Sequence, residues 1–248
     1  MKPTVLSLLS LLSPTCLLVF PSASVIAEND SFRRMPAGWT AESPREEIAP
    51  DFEYNLKGGP DGQGSFCITT DHRSGSFGWF EKTYEVEGGK YYQFSAVQRT
   101  RNLKHSRRTA VTRVLWKDEN GNRVKHDFTS NASYARGKQP LAEPEFPAIV
   151  KELDNGWSLI QGVYKVPSTA RQGVVELSYR WESRGKVEWA QVELKPTTAP
   201  PARKVKLATI HFKPTGGDSN LDKCKLFEPF IANAAKQGAN LVVLPECL

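Results

Sequence analysis

Cysteine and histidine are scarce in this chain, and their spacing excludes two common ways of bracing a fold. Beyond Cys16 in the leader, Cys67, Cys224 and Cys247 are odd in number and widely separated, which gives neither a disulfide framework nor a C-x-x-C pair for zinc. Cys67 and Cys224 therefore read as buried free thiols. The histidines, at positions 72, 105, 126 and 211, form no H-E-x-x-H pattern. No metal or other cofactor is expected. No nucleic-acid-binding motif accompanies the basic residues, and no apolar run makes a stable membrane span. Long helical periodicity is missing from the middle of the chain.

The N-terminus has the order of an export signal. Lys2 is the only charge before Glu28, and Val5 to Phe20 is rich in Leu, Val and Ser. Small residues follow at Ser22, Ala23, Ser24 and Ala27, so a signal peptide of residues 1–27 is expected, with a secreted or periplasmic mature protein. Removing it takes away one lysine and no acid, which leaves the chain mildly basic. Much of that charge is concentrated in Arg99, Arg101, Lys104, His105, Arg107, Arg108 and Arg113. Such a run is either a patch for an acidic polymer or a solvated loop between two strands, with the loop favoured.

From Phe66 onward apolar residues alternate with polar ones. Phe80, Tyr84 and Val86 fall on one side of a strand opposite Glu81, Thr83 and Glu85, and Tyr92, Phe94 and Ala96 make a second inward row. Val111 to Trp116 reads as a strand, Asn120-Gly121 as a tight turn, and Val124, His126 and Phe128 as the returning strand. Val175, Leu177, Tyr179 and Trp181 interleave with Glu176, Ser178 and Arg180. In Val187 to Leu194 the apolar parity switches between Trp189 and Ala190, which predicts a bulge. The stretch from Thr129 to Pro147 reads as a long surface loop. Many short strands with Gly- and Asn-containing turns predict an antiparallel β-sandwich of jelly-roll type. Asn29-Asp30-Ser31 and Asn131-Ala132-Ser133 match the N-glycosylation pattern.

The layout of residues 28–195 resembles the galactose-binding-like modules appended to secreted hydrolases. The features that carry this resemblance are Gly78-Trp79 before a strand, Val86-Glu87-Gly88-Gly89-Lys90-Tyr91-Tyr92, Trp116-Lys117-Asp118 leading to Gly121, Trp157 before Val166-Pro167, and Gly185 to Leu194 as the last strand. It implies one of two roles, a saccharide ligand stacked on aromatic side chains or a module without ligand that buttresses a catalytic domain. Six tryptophans are available, at positions 39, 79, 116, 157, 181 and 189, and at least four are expected to serve in packing.

Lys195 to Arg203 reads K-P-T-T-A-P-P-A-R, so residues 196–203 form a semi-rigid linker in which neither helix nor central strand is expected. The grammar then changes to a strand over Val205 to Phe212 and a helix over Ser219 to Gln237. That helix is capped by Ser219 and Asp222, divided or kinked at Pro229, and stopped at Gly238. Leu221, Cys224, Phe227 and Ile231 give it an apolar face, and strand returns at Asn240 to Leu244. This is the beginning of a β-α-β unit over residues 204–248.

Lys206-Leu207-Ala208-Thr209-Ile210, Asn220-Leu221 and the run Ala234 to Glu246, ending Leu-Pro-Glu, resemble the opening of the carbon–nitrogen hydrolase, or nitrilase, superfamily. The resemblance implies a nitrilase-like α/β domain cut off after its first catalytic residue. Glu246 matches the general base of a Glu-Lys-Cys triad acting on a small amide or nitrile substrate. The lysine and nucleophilic cysteine lie outside this sequence, and Cys247, pointing opposite to Glu246, is not the nucleophile. The expectation is thus an inactive piece of a secreted hydrolase with an accessory sandwich. The alternative is a non-enzymatic secreted carbohydrate-binding module. Substrate and oligomeric state are left open.

Overall fold

The computed structural model describes residues 35–70, 72–131 and 135–246. The expected signal peptide, Asn29, Ala132, Ser133 and Cys247 lie outside them. The chain divides into two compact units between Thr197 and Thr198.

The first unit is mainly β, with antiparallel sheets. Its elements are β1 (Trp39–Glu42), β2 (Asp51–Asn55), β3 (Ser65–Thr69), β4 (Phe77–Glu85), β5 (Tyr91–Arg101), a single helical turn α1 (Ser106–Thr109), β6 (Ala110–Lys117), β7 (Ala148–Glu152), β8 (Trp157–Lys165), β9 (Gln172–Arg180) and β10 (Lys186–Thr197). They form a four-stranded sheet in the order β1-β4-β9-β6 and a six-stranded sheet in the order β2-β3-β10-β5-β8-β7. The alternation seen in sequence has its cause here, because each strand turns every second side chain into the space between the sheets.

Phe80 of the first sheet meets Phe52 and Phe66 of the second at ring-centroid separations of 5.2 and 5.1 Å. Ile68, Phe94, Val114, Val175, Leu177 and Trp189 complete the centre of the core, and burying each such side chain is worth about 2 kcal/mol. The one polar need this creates is met inside the core, where the Trp189 Nε1–H donates to Thr112 Oγ1 at 3.0 Å. Trp39, Trp116, Trp157 and Trp189 are all buried, which accounts for the four tryptophans expected in packing. Gly78 also faces inward, and a Cβ there would sit 2.6 Å from Phe52 Cζ. Glycine at this position lets β4 approach the opposite sheet and turns its neighbours Phe77 and Trp79 outward.

Several local expectations are corrected. Val124 to Phe128 forms only isolated bridges, Lys117 to Arg123 and Lys125 to Leu141, while Val124 alone is buried. His126 and Phe128 stack on each other at 5.1 Å, and Phe128 is exposed, so nothing draws this stretch into a sheet. The bulge in β10 falls between Ala190 and Glu193, two residues later than the parity switch, with Gln191 at φ +54°. β10 also runs through Pro196 to Thr197, two residues into the expected linker. Proline is tolerated there because β3 pairs only with Lys186 to Trp189, so the far half of β10 is bonded on one side alone. The basic run is not one loop: Arg99 and Arg101 lie on β5, Arg107 and Arg108 on α1, and Arg113 on β6.

The second unit contains β11 (Leu207–Thr209), α2 (Asn220–Lys225), α3 (Glu228–Lys236) and β12 (Leu241–Val243). β11 and β12 pair in parallel, Leu207 opposite Leu241 and Thr209 opposite Val243. Ser219 and Asp222 form a complete capping box at the start of α2. Pro229 sits in the first turn of α3, where its missing N–H costs nothing, and this divides the helix. The division has a consequence for packing. Phe227 and Ala234 are buried, with Phe212 against Phe227 at 5.2 Å, whereas Leu221 and Cys224 on α2 are exposed. Cys224 is therefore a surface thiol and not the core residue that one continuous helix predicts.

Candidate functional site on the outer face of the four-stranded sheet

Each sheet has an outer face, and the two differ in how completely they satisfy themselves. On the six-stranded sheet, the Arg99 Nε–H donates to the buried Glu188 carboxylate at 2.9 Å, and Lys186 Nζ lies 3.6 Å from its other oxygen. The Arg99 guanidinium also covers the Trp157 ring at 4.4 Å from its centroid. Here the buried carboxylate has its cations, and the Trp157 ring is already covered.

The four-stranded sheet is different. Cross-strand register places Phe77 opposite Arg180, Trp79 opposite Ser178, Glu81 opposite Glu176, and Arg113 opposite Glu176 on its other side. Phe77 and Trp79 are half-buried, their ring centroids 5.3 Å apart and tilted by 40°. Trp79 Nε1–H donates to Glu81 Oε2 at 3.2 Å, which fixes the indole on the sheet. The Arg180 guanidinium lies 5.6 Å from the Phe77 centroid. Glu81 and Glu176 are like charges directly across from each other, an arrangement that costs stability unless something offsets it. Trp79 offsets one, and the Arg113 Nε–H offsets the other at 2.5 Å from Glu176 Oε2.

Two buried polar atoms of this face, Ser178 Oγ and Arg180 Nε, have no hydrogen-bond partner among the described residues. They project from the same side of β9, two residues apart. Burial pulls the Arg180 guanidinium below its ordinary value; the positive charge of Arg113 adds to this and Glu176 opposes it.

The row ends in a strained turn. Trp181, one residue beyond β9, has φ +66°, a region that bulky residues rarely enter, and it is 56% exposed. Surrounding bonds impose the conformation. The Trp181 N–H donates to the Ser76 carbonyl at 2.7 Å, Gly75 N–H donates to the Trp181 carbonyl at 3.3 Å, and Tyr179 Oη lies 3.1 Å from the Glu182 carbonyl oxygen. The Glu182 carboxylate in turn accepts from the backbone N–H groups of Lys104 and His105 at 3.0 and 2.7 Å, which hold its carboxyl below the usual range. A large apolar ring is thus held in water at a fixed place, beside a basic loop.

A cleft of about 620 Å³ also opens between β6 and the β5-β8-β7 side of the sandwich, lined by Gln98, Thr100, Arg107, Thr112, Phe146 and Ser158 among others. Phe146 is its one aromatic lining residue. It lacks the paired rings of the sheet face.

The residue singled out in sequence, Glu246, lies in a bend after β12 and is exposed, with no ion pair among the described residues. The residues of the sheet face went unrecognised as a group. The only signal for them was parity, since Phe77 and Trp79 share the outward register of Glu81 and Thr83. No group of three metal-ligating side chains occurs among the described residues, and none of their helices is long and apolar enough to cross a membrane.

No protein-family model matches the chain, and no curated protein matches it. Among solved structures it is similar to the enzymatically active domain of bacteriophage CBA120 tailspike protein 4, at 15% identity and a TM-score of 0.44, covering 65% of this chain and 20% of that one. It is similar to the CBM22-1 xylan-binding domain of Paenibacillus barcinonensis Xyn10C, at 12% identity and a TM-score of 0.41, covering 67% and 90%. A third is TmCBM61, solved in complex with β-1,4-galactotriose, at 8% identity and a TM-score of 0.36, covering 69% and 97%. The chain spans one fifth of the tailspike structure.

The expectation of a carbon–nitrogen hydrolase is corrected. Carbohydrate-binding modules recur among the similar structures, a binding class and not an amide- or nitrile-cleaving one. β12 is three residues long, with Leu241 and Val243 exposed.

Proposed function

We propose that the sandwich is a carbohydrate-binding module of an exported protein and that its saccharide lies across the outer face of the β1-β4-β9-β6 sheet. The observation that carries this reading is the Phe77–Trp79 pair, half-exposed and fixed, beside the half-exposed Arg180, which has no ion pair among the described residues. A pyranose ring offers an apolar C–H face and a rim of hydroxyls. The first suits stacking on a rigid aromatic surface, and the second requires donors and acceptors already aimed outward. Arg180 and Glu81, both half-buried beside the pair, supply a donor and an acceptor at its edge. The sandwich binds and does not turn over its ligand. Residues 1–27 direct export and are removed, leaving the module at residues 28–195 followed by the linker at 196–203.

Native affinity gels containing xylan or β-1,4-galactan test this, since those are the polymer types named for the similar modules. Trp79→Ala is expected to weaken retardation by about tenfold, equivalent to about 1.4 kcal/mol, with the fold retained as judged by circular dichroism. Retardation of Trp79→Ala equal to that of the parent would sink the assignment of the face. Intact mass of the exported chain checks the leader: a mass that includes residues 1–27 contradicts removal.

A further inference from the structure

We infer that the glycan bound by this face carries an anionic group on its ring, a carboxylate or a sulfate ester, and that Arg180 receives that group beside the Phe77–Trp79 pair. The inference rests on the saccharide-binding reading and narrows it to one chemical class.

The argument is one of unmatched charge. Glu81 on β4, Glu176 on β9 and Glu182 in the turn after β9 are each committed elsewhere, Glu176 alone of them acting on the Arg180 charge. Glu176 is held by Arg113, Glu81 accepts from Trp79, and Glu182 accepts two backbone N–H groups from the 104–105 loop. Arg180 packs against Phe77 and keeps a buried Nε–H that no group among the described residues accepts. The unpartnered Nε–H is a standing cost in the free protein, while the half-exposed side chain leaves its terminal nitrogens for an anion from outside.

The contrast with Arg99 sharpens the point. On the opposite sheet, Arg99 covers an aromatic ring in the same manner, but its Nε–H is spent on Glu188. Arg180 repeats the arrangement with the carboxylate missing. A planar carboxylate or a sulfate from outside completes it through a charge-assisted hydrogen bond, which is stronger and more directional than one to a neutral hydroxyl. The positive surroundings extend beyond one residue. Arg113 lies close enough to act on the Arg180 charge, and the loop anchored to Glu182 presents Lys104, His105, Arg107 and Arg108 to solvent. These exposed charges add long-range attraction for an acidic chain, screened by salt, while the specific recognition belongs to Arg180.

Titration calorimetry of the full chain against unsubstituted xylan, glucuronoxylan, polygalacturonate and dextran sulfate tests this. At least one acidic polymer is expected to bind about tenfold more tightly than xylan, with the advantage lost in Arg180→Gln and partly kept in Arg180→Lys. The Lys variant retains the charge without the fork, so it also serves if the Gln variant fails to fold. Preference for the uronate polymers or for dextran sulfate identifies which anion is taken. Equal affinity for xylan and every acidic polymer overturns the inference and leaves saccharide binding standing. A preference for acidic polymers that survives in both variants overturns the role of Arg180. No binding to any of the four polymers overturns the inference together with the reading beneath it.

Discussion

Arg99 stacks on Trp157, its guanidinium carbon 4.4 Å from the ring centroid, and the same guanidinium is bonded to the buried carboxylate of Glu188. A ring covered in this way is closed to ligands. The pairing therefore separates the two outer faces: the six-stranded sheet closes its tryptophan under a paired arginine, and the four-stranded sheet keeps Trp79 half-exposed and Arg180 without an ion pair among the described residues.

Arg99→Met is accordingly expected to destabilise the first unit by about 3 kcal/mol, the order of cost for breaking a buried ion pair, moderated by Lys186 nearby. Urea denaturation measures it. Adding Glu188→Gln to the same chain should restore most of the loss, because no uncompensated charge is then buried. Saccharide affinity should be unaffected by either change.

Acid should release the 104–105 loop. Hydrogen bonding from the Lys104 and His105 amides lowers the Glu182 carboxyl below its ordinary value, so the native state binds this proton less readily than the unfolded chain does. The stability so gained is fully present above about pH 4.5, the ordinary glutamate value, and is lost as pH falls through the lowered value of the folded protein. Thermal midpoints of parent and Glu182→Gln, compared from neutral pH down into that window, should differ at neutral pH and converge in acid. A gap that stays constant across the range contradicts the assignment.

The two described cysteines should separate cleanly by reactivity. Burial pushes the Cys67 thiol up to about 11, whereas Cys224 is exposed on α2. Iodoacetamide applied to the folded chain at about pH 8 should label Cys224 and spare Cys67, since only the thiolate reacts. Peptide mass mapping reads both sites at once. Labelling of Cys67 at a rate similar to Cys224 contradicts the burial.

Amide exchange should divide the molecule in the same way. β9 is flanked by paired strands on both sides and is buried over Gly173 to Tyr179, whereas β11 and β12 pair only with each other and leave Leu207, Leu241 and Val243 exposed. The amides of Leu241 to Val243 are expected to exchange at least about tenfold faster than those of Val175 to Tyr179. Equal protection in the two segments contradicts that expectation.

The sandwich was legible in sequence wherever burial forced a period of two. Phe80, Tyr92, Phe94 and Ala96 stand where their alternation puts them because every one of them faces the gap between the sheets. Turn chemistry also worked locally, as in the Ser219–Asp222 capping box and the break at Pro229. The candidate site was hidden for a physical reason. Whether Arg180 has an acceptor depends on β4 and β6 both pairing with β9, contacts that join residues about a hundred positions apart in the case of Phe77 and Arg180, and no local pattern encodes them. Glu246 stands out in sequence by a short local signature, Leu-Pro-Glu, and lies exposed in the bend after β12.

The left-handed backbone at Trp181 makes the protein its own optical probe. Among the six indoles, four are enclosed in the core and Trp79 is partly sheltered, so Trp181 contributes the red-shifted, quencher-accessible part of the emission. Ligand arriving beside Arg180 changes the water around Trp181 and covers Trp79, while the enclosed four stay silent. Acrylamide or iodide quenching then follows occupancy of the sheet face without any label, with Trp181→Phe separating the two contributions.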